Sequence, residues 1–225
     1  MSGLFITFEG TEGSGKSTQA ALLAERLRQQ GERVRLLREP GGTPIGEEIR
    51  HTLKHSSSNQ AMTAEAELLL MSAARAQLVR EIIRPALAAG ERVVCDRFFD
   101  STTAYQGYGR QLDLQQVQAL IDFAVGETRP ALTLLLVLPL RESESRRQSR
   151  HSATTPPRDR LEEAGPEFFA RVERGYQAIA AAEPQRVRTI DATQPIQTVQ
   201  ELVWGWVRPL LARPEHGQSA AATRR

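Results

Sequence analysis

Gly10-Thr11-Glu12-Gly13-Ser14-Gly15-Lys16-Ser17 constrains this chain more than any other segment, because it matches GxxxxGK[ST] directly after the apolar run that begins at Leu4 and ends at Phe8. There a first strand hands over to a helix, and the motif becomes a phosphate cradle. Glycines at 10, 13 and 15 admit turns that a Cβ forbids, so successive N–H groups converge on a phosphate at the positive end of the following helix. Lys16 reaches the β- and γ-phosphates, and the Ser17 hydroxyl suits Mg²⁺. Cations here are almost all arginine, lysine occurring only at Lys16 and Lys54, yet the position that needs a compact point charge holds lysine.

The rest of the chain alternates apolar runs with amphipathic stretches, the pattern of a parallel sheet wrapped by helices. Candidate strands are 4–8, 34–38, 92–96, 132–138 and 187–191, whose apolar character predicts burial on both faces. Candidate helices are 17–30, with Leu22, Leu23, Ala24 and Leu27 on one face and Gly31 as its stop; 63–90, broken near Pro85 and closed by Gly90; 115–126; 166–182; and 198–211. These predict an α/β P-loop NTPase fold, a five-stranded parallel sheet with helices on both faces. Residues 1–213 read as a single domain and 214–225 as a disordered tail.

Composition excludes several classes. The net charge of +2 argues against a nucleic-acid protein, and Cys95 is the sole cysteine, so neither an intrachain disulfide nor a cysteine zinc site can form. The four histidines are scattered. No apolar run approaches the ~20 residues of a membrane span, and Glu9 comes too soon for a signal peptide. The expectation is a cytoplasmic protein with neither nucleic acid nor membrane as partner.

A cradle indicates a nucleoside triphosphate without saying what happens to it. The strand ending at Asp96-Arg97 delivers a carboxylate and a guanidinium to the carboxyl edge of the sheet, where open α/β sheets bind ligands, and the strand ending at Arg38 delivers Arg38-Glu39-Pro40-Gly41-Gly42. Two arginines can hold a second phosphate bidentately while carboxylates serve the Mg²⁺ shell. Between Leu140 and Glu163 six arginines accompany Pro156 and Pro157, too polar a stretch for a core. It reads as a mobile arginine-rich lid over 141–163, closing the site against water and neutralising charge during phosphoryl transfer. A solvated loop is the plainer reading of that stretch alone. Together these features point to a small nucleotide kinase; a GTPase would need base-reading motifs of the NKxD type, which are not seen.

At this level of detail the chain resembles the bacterial thymidylate kinases. The resemblance is carried by the cradle with Glu12, by Arg38 to Gly42, Ala73-Ala74-Arg75, Asp96-Arg97-Phe98, Ser101-Thr102, Ala104-Tyr105-Gln106-Gly107 and Asp159-Arg160-Leu161-Glu162, and by Thr189 to Ala192, in order from Leu4 to Pro209. It implies transfer of the γ-phosphoryl group of MgATP to dTMP, giving dTDP for dTTP synthesis, in a cytoplasmic homodimer, for which the broad apolar surface of the long helix Thr63 to Arg84 is the expected interface. It further implies Arg38 and Arg97 on the dTMP phosphate, Glu12 on the 3′-hydroxyl, Arg75, Thr102 and Gln106 on the thymine edge, and Tyr105 against the 2′ position. Arg146 and Arg150 would be the lid arginines, Asp96 and Glu162 would join Ser17 around Mg²⁺, and adenine would lie near Ala192 to Pro195. Three departures stand out: Met71 where the family stacks a phenylalanine on thymine, Val137 where the fourth strand often ends in an acid, and a lid longer than usual through His151 to Pro157. The competing readings are a kinase of another pyrimidine nucleotide or of a nucleoside, for which paired Arg38 and Arg97 would have no phosphate, and a P-loop regulator whose hydrolysis ignores dTMP.

Overall fold

A computed structural model describes residues 3–56, 58–150, 160 and 164–211, and its strands fall on the apolar runs: β1 (Leu4–Glu9), β2 (Val34–Arg38), β3 (Arg92–Asp96), β4 (Leu132–Val137) and β5 (Val187–Asp191). All four pairings are parallel, in the order β2-β3-β1-β4-β5. The helices are α1 (Lys16–Gln29), α2 (Pro44–Lys54), α3 (Ala64–Leu78), α4 (Arg84–Ala88), α5 (Phe99–Thr102), α6 (Leu114–Val125), α7 (Leu140–Arg150), α8 (Pro166–Ala182) and α9 (Ile196–Leu211). Side chains alternate across β1, so Ile6 and Phe8 join Leu23 and Leu27 of α1 and Val203 and Trp204 of α9 on one face, while Phe5 joins Leu78 of α3 and Ile121 of α6 on the other. A further cluster seats Phe168, Phe169 and Val172 of α8 against Tyr105 and Leu135. Among the described residues no helix is long and apolar enough to cross a membrane.

Central strands are buried as expected, but the two edge strands are not: Thr189 and Asp191 of β5 are exposed, and so are Arg35 and Leu36 of β2 at the opposite edge. An apolar run does not report how many neighbours a strand acquires. The β2 edge is flanked instead by ion pairs, Arg35 with Glu91 and Arg92 with Glu32. Leu22 likewise turns out of the core, at 39% exposed, because α1 buries the stripe through Ala20, Leu23, Ala24 and Leu27. Gly31 does end α1, with φ +83°.

The expected break near Pro85 lies earlier and is gentler. The chain stays helical from α3 through a π turn, Val79–Ile83, into α4, and the wider turn accommodates the carbonyl that Pro85, lacking an N–H, cannot pair. Helical segments also arise where the apolar pattern does not mark them. α2 sits in a glycine-rich stretch, although Thr43 caps it by accepting from the Gly46 N–H (3.0 Å), with Pro44 at its first turn. The run Phe99 to Gly109, α5 continued by a π turn, packs along α8. The supposed flap is helical at its start, where α7 buries Ser143 against the cradle. The rest of the predicted lid over 141–163 lies outside the described residues except for Arg160, and so does the predicted tail over 214–225.

Candidate active site

β1 and β3 run side by side with Phe8 opposite Asp96, and the Arg97 N–H donates to the Phe8 carbonyl at 2.9 Å. The cradle and Asp96-Arg97 therefore leave the sheet together, at the edge the topology designates for ligands. Gly10, at φ +135°, passes so close to the Leu136 carbonyl that a Cβ would collide with it. A Cβ on Gly13 would stand 3.0 Å from the Ser143 carbonyl, so this glycine lets α7 dock on the loop, where the Ser143 hydroxyl donates to the Glu12 carbonyl at 2.6 Å. α1 starts at Gly15 with no side-chain cap, in contrast to Thr43, Thr63 and Asp113, which cap α2, α3 and α6. Its open N–H groups are what an anion needs.

Lys16 is buried, and its Nζ donates to the Thr11 carbonyl at 2.7 Å. Burial first, and Arg97 second, push its ammonium down to about 8, against the pull of Glu12, Asp96 and Glu9. The Ser17 hydroxyl donates to Asp96 Oδ2 in a short hydrogen bond, so two hard oxygen donors meet at the start of α1.

Beside the cradle lies a cavity whose wall includes Glu12, Arg97, Tyr105, Arg75, Thr102 and Gln106, with Met71, Glu39, Pro40, Ser101 and Lys54 completing it. Glu12 belongs to both. Its Oε1 accepts from Arg97 Nη2 (2.7 Å) and its Oε2 from the Tyr105 hydroxyl (2.6 Å). Burial alone would raise the Glu12 pKa; Arg97, then Lys16 and the Tyr105 hydrogen bond, outweigh it and hold the carboxyl at about 2. Arg97 has φ 71°, a left-handed backbone uncommon for a residue other than glycine, and its Nη1 also reaches Ser101 Oγ (3.0 Å) and the Tyr176 hydroxyl (3.2 Å).

Behind this set Glu9 is fully buried at the end of β1. It accepts from the Phe98 N–H (2.7 Å), Ser101 Oγ (2.6 Å) and the Tyr176 hydroxyl (2.9 Å). Burial, reinforced by Asp100, raises its carboxyl to about 7 in spite of Arg97 and the hydrogen bonds. On the far wall Arg75 and Glu39 form a buried ion pair, Glu39 Oε2 accepting from Nε (2.8 Å) and standing 2.7 Å from Nη2, while Arg75 Nη1 donates to Thr102 Oγ1 (2.8 Å) and Nη2 to the Phe98 carbonyl (3.2 Å).

Of the residues singled out from the sequence, Glu12, Met71, Arg75, Arg97, Thr102, Tyr105 and Gln106 come together in this cavity. Arg38 stands apart from the lining: its Nη2 donates to Glu47 Oε2 on α2 at 2.9 Å. Arg146 Nη2 donates to the Ala192 carbonyl (3.1 Å), tying α7 to the loop before α9. Arg150 ends α7 with its side chain outside the described residues, and Glu162 lies outside them altogether. Glu9, Lys54, Glu67 and Tyr176 were missed. Only Glu9, an acid closing an apolar run directly before the cradle, gave a local signal.

A family model described as thymidylate kinase matches residues 8–203. Similar proteins include the thymidylate kinase of Pseudomonas savastanoi pv. phaseolicola, 51% identical over 200 residues that span 89% of this chain and 92% of that one. The thymidylate kinase of Pseudomonas fluorescens is 49% identical over 213 residues, 95% of this chain and 99% of that one. Among solved structures, the thymidylate kinase of Ehrlichia chaffeensis superposes with a TM-score of 0.73 at 33% identity, covering 92% of this chain and 99% of that one. By the family match over most of its length and its similarity to these relatives, the chain belongs to the thymidylate kinase family.

Proposed function

We propose that this site runs the reaction of its family, phosphorylation of dTMP by ATP to dTDP, with ATP on the cradle and dTMP in the adjoining cavity. The observation that carries this reading is Glu12, a cradle residue whose carboxylate is also a wall of the cavity, so that donor and acceptor sites abut. Phosphoryl transfer asks a protein for positioning and charge neutralisation rather than covalent chemistry. The N–H groups from Gly10 to Ser17 and Lys16 hold the triphosphate. Arg97, joined by Arg38, takes the dTMP phosphate, and Glu12 accepts from the sugar 3′-hydroxyl. Arg75, Thr102 and Gln106 meet the thymine edge, Met71 covers its face, and the Tyr105 ring crowds the 2′ position. Arg146 and Arg150 brace the transferring group from α7. Burial and Arg97 lower the proton affinity of Lys16, whereas the negative charge of bound phosphates works in the opposite direction.

Ser17 and Asp96 fit a hard cation, since a hydroxyl and a carboxylate oxygen already meet there. They would hold Mg²⁺, with Glu162 as a further candidate; when bound, the ion neutralises phosphate charge. We also infer a cytoplasmic homodimer joined across α3 and α6, whose outer faces expose Leu69 and Phe123, the latter 78% exposed. Sedimentation of the protein and of Phe123→Glu tests the dimer.

The reaction is tested by ADP release with MgATP and dTMP, dUMP, dCMP, dGMP, UMP or thymidine as acceptor. Turnover with dTMP far above the rest is expected. Turnover with thymidine alone would remove the phosphate role of Arg38 and Arg97, and hydrolysis indifferent to every acceptor would leave only the cradle.

A further inference from the structure

Gln106 is 1% exposed and lines the acceptor cavity, but its carboxamide is not free to choose an orientation. Its Nε2 donates at 2.8 Å to Glu67 Oε1, a carboxylate oxygen on α3 that can only accept. Glu67 is itself fully buried and gripped by two guanidinium groups. Arg110 donates to both its oxygens (3.2 and 3.0 Å), and Arg160 donates to Oε2 in a short contact while also holding the Met62 carbonyl at 3.0 Å. A carboxamide flip would set the Gln106 carbonyl against the carboxylate, acceptor against acceptor, in a buried site. Among the described residues no hydrogen bond is made to Gln106 Oε1, so that oxygen is the end left for a ligand.

The opposite reader is fixed as a donor. Arg75 has five N–H groups: Nε donates to Glu39, Nη2 donates to the Phe98 carbonyl and lies in ion-pair contact with Glu39, and one N–H on Nη1 goes to Thr102. The second Nη1 N–H remains. A thymine edge offers a carbonyl oxygen and an N3–H, matching one fixed donor and one fixed acceptor. A cytosine edge offers an amino group and a bare N3, which oppose both.

We propose that Glu67 is a positioning residue that fixes Gln106 as a hydrogen-bond acceptor and thereby sets the preference for a thymine over a cytosine nucleotide. The proposal rests on the reading that dTMP occupies this cavity. Arg110 and Arg160 act one step further out, holding the carboxylate in place. The same arrangement ties Arg160, which belongs to the arginine-rich stretch 141–163, to base recognition.

The test compares kcat/KM for dTMP and dCMP in the parent, in Glu67→Gln, whose amide can donate to a flipped Gln106, and in Gln106→Leu. The preference for dTMP over dCMP is expected to fall roughly tenfold or more in both variants, the dTMP value carrying the loss. Glu67→Asp, which keeps an acceptor-only partner, is expected to restore most of it. Equal losses with the two nucleotides in Glu67→Gln, or an unchanged ratio, would overturn the proposal by reducing Glu67 to a structural role. If Glu67→Gln does not fold, Gln106→Leu decides: an unchanged ratio there removes the acceptor that Glu67 is proposed to fix. A parent that does not turn over dTMP would instead defeat the functional reading, a separable outcome.

Discussion

The cradle and the acceptor cavity share Glu12 and are otherwise built in opposite ways. Gly10 to Ser17 is one contiguous loop that offers backbone N–H groups, a helix end and a single lysine, and its shape follows from its own glycines. The cavity is assembled from the loop after β2, from α3, and from the α5 segment, and its polar side chains are set by buried partners such as Glu39 for Arg75 and Glu67 for Gln106. In the cradle the recognition groups are main chain, so side-chain changes there act on chemistry. In the cavity each recognition group is also part of a buried network, so binding and stability are linked.

Lys16→Ala gives the sharpest test of this contrast. It is expected to lower kcat by about a thousandfold or more, by removing positive charge from the transferring phosphoryl group, with Tm and dTMP binding little changed. A Tm loss as large as that of a cavity variant would break the comparison. Arg75→Ala is the cavity counterpart: it leaves the Glu39 carboxylate buried without its partner, and a loss of about 3–5 kcal/mol in stability is expected together with a raised dTMP KM. Calorimetry alongside steady-state kinetics checks both, and a raised KM at unchanged Tm would contradict the linkage.

Glu9 lies beneath both regions, and its contribution is read from pH. Because its carboxyl is raised from 4.5 to about 7, the native state holds this proton more tightly than the unfolded chain, and stability attributable to Glu9 falls as pH rises across that window. The Tm of Glu9→Gln, whose side chain stays neutral, should therefore gain on that of the parent from about pH 4.5 to about pH 7; parallel curves would refute the shift. The smallest effect is expected of Met71→Phe, which exchanges a buried thioether for a ring with a stacking face. A dTMP KM lowered roughly two- to tenfold is expected. An unchanged or higher KM would mean that Met71 does not cover the base, or that the ring overfills the space shared with Leu53.

The strands show how much could be read locally. The second, third and fifth predicted strands have the observed limits, and the first and fourth differ by a single residue at their carboxyl ends. What the runs did not convey was exposure: β2 became an edge only because no strand follows it in the sheet. Pro85 correctly marked an irregularity, but whether a proline ends a helix or is absorbed by a π turn depends on the packing of Val79 and Ile83, both fully buried. α2 carried a legible cap in Thr43-Pro44, obscured by the glycines around it. The helical start of α7 was hidden because Arg, Glu and Ser dominate it, and its contacts come from scattered residues such as Leu140, Ser143 and Arg146 rather than from an apolar stripe.

By itself the sequence determined the cradle and the parallel sheet, because a contiguous motif and an alternating apolar pattern act over a few residues, whereas most of the residues lining the cavity were legible only through the family resemblance. Tertiary structure alone decided which partner each polar group obtained. Glu67 meets Gln106 at a separation of 39 residues and Arg160 at 93, and Arg75 meets Glu39 at 36. Such pairings are set by the order in which helices are laid on the sheet, and the hydrogen-bond polarity of the base-reading groups follows from them.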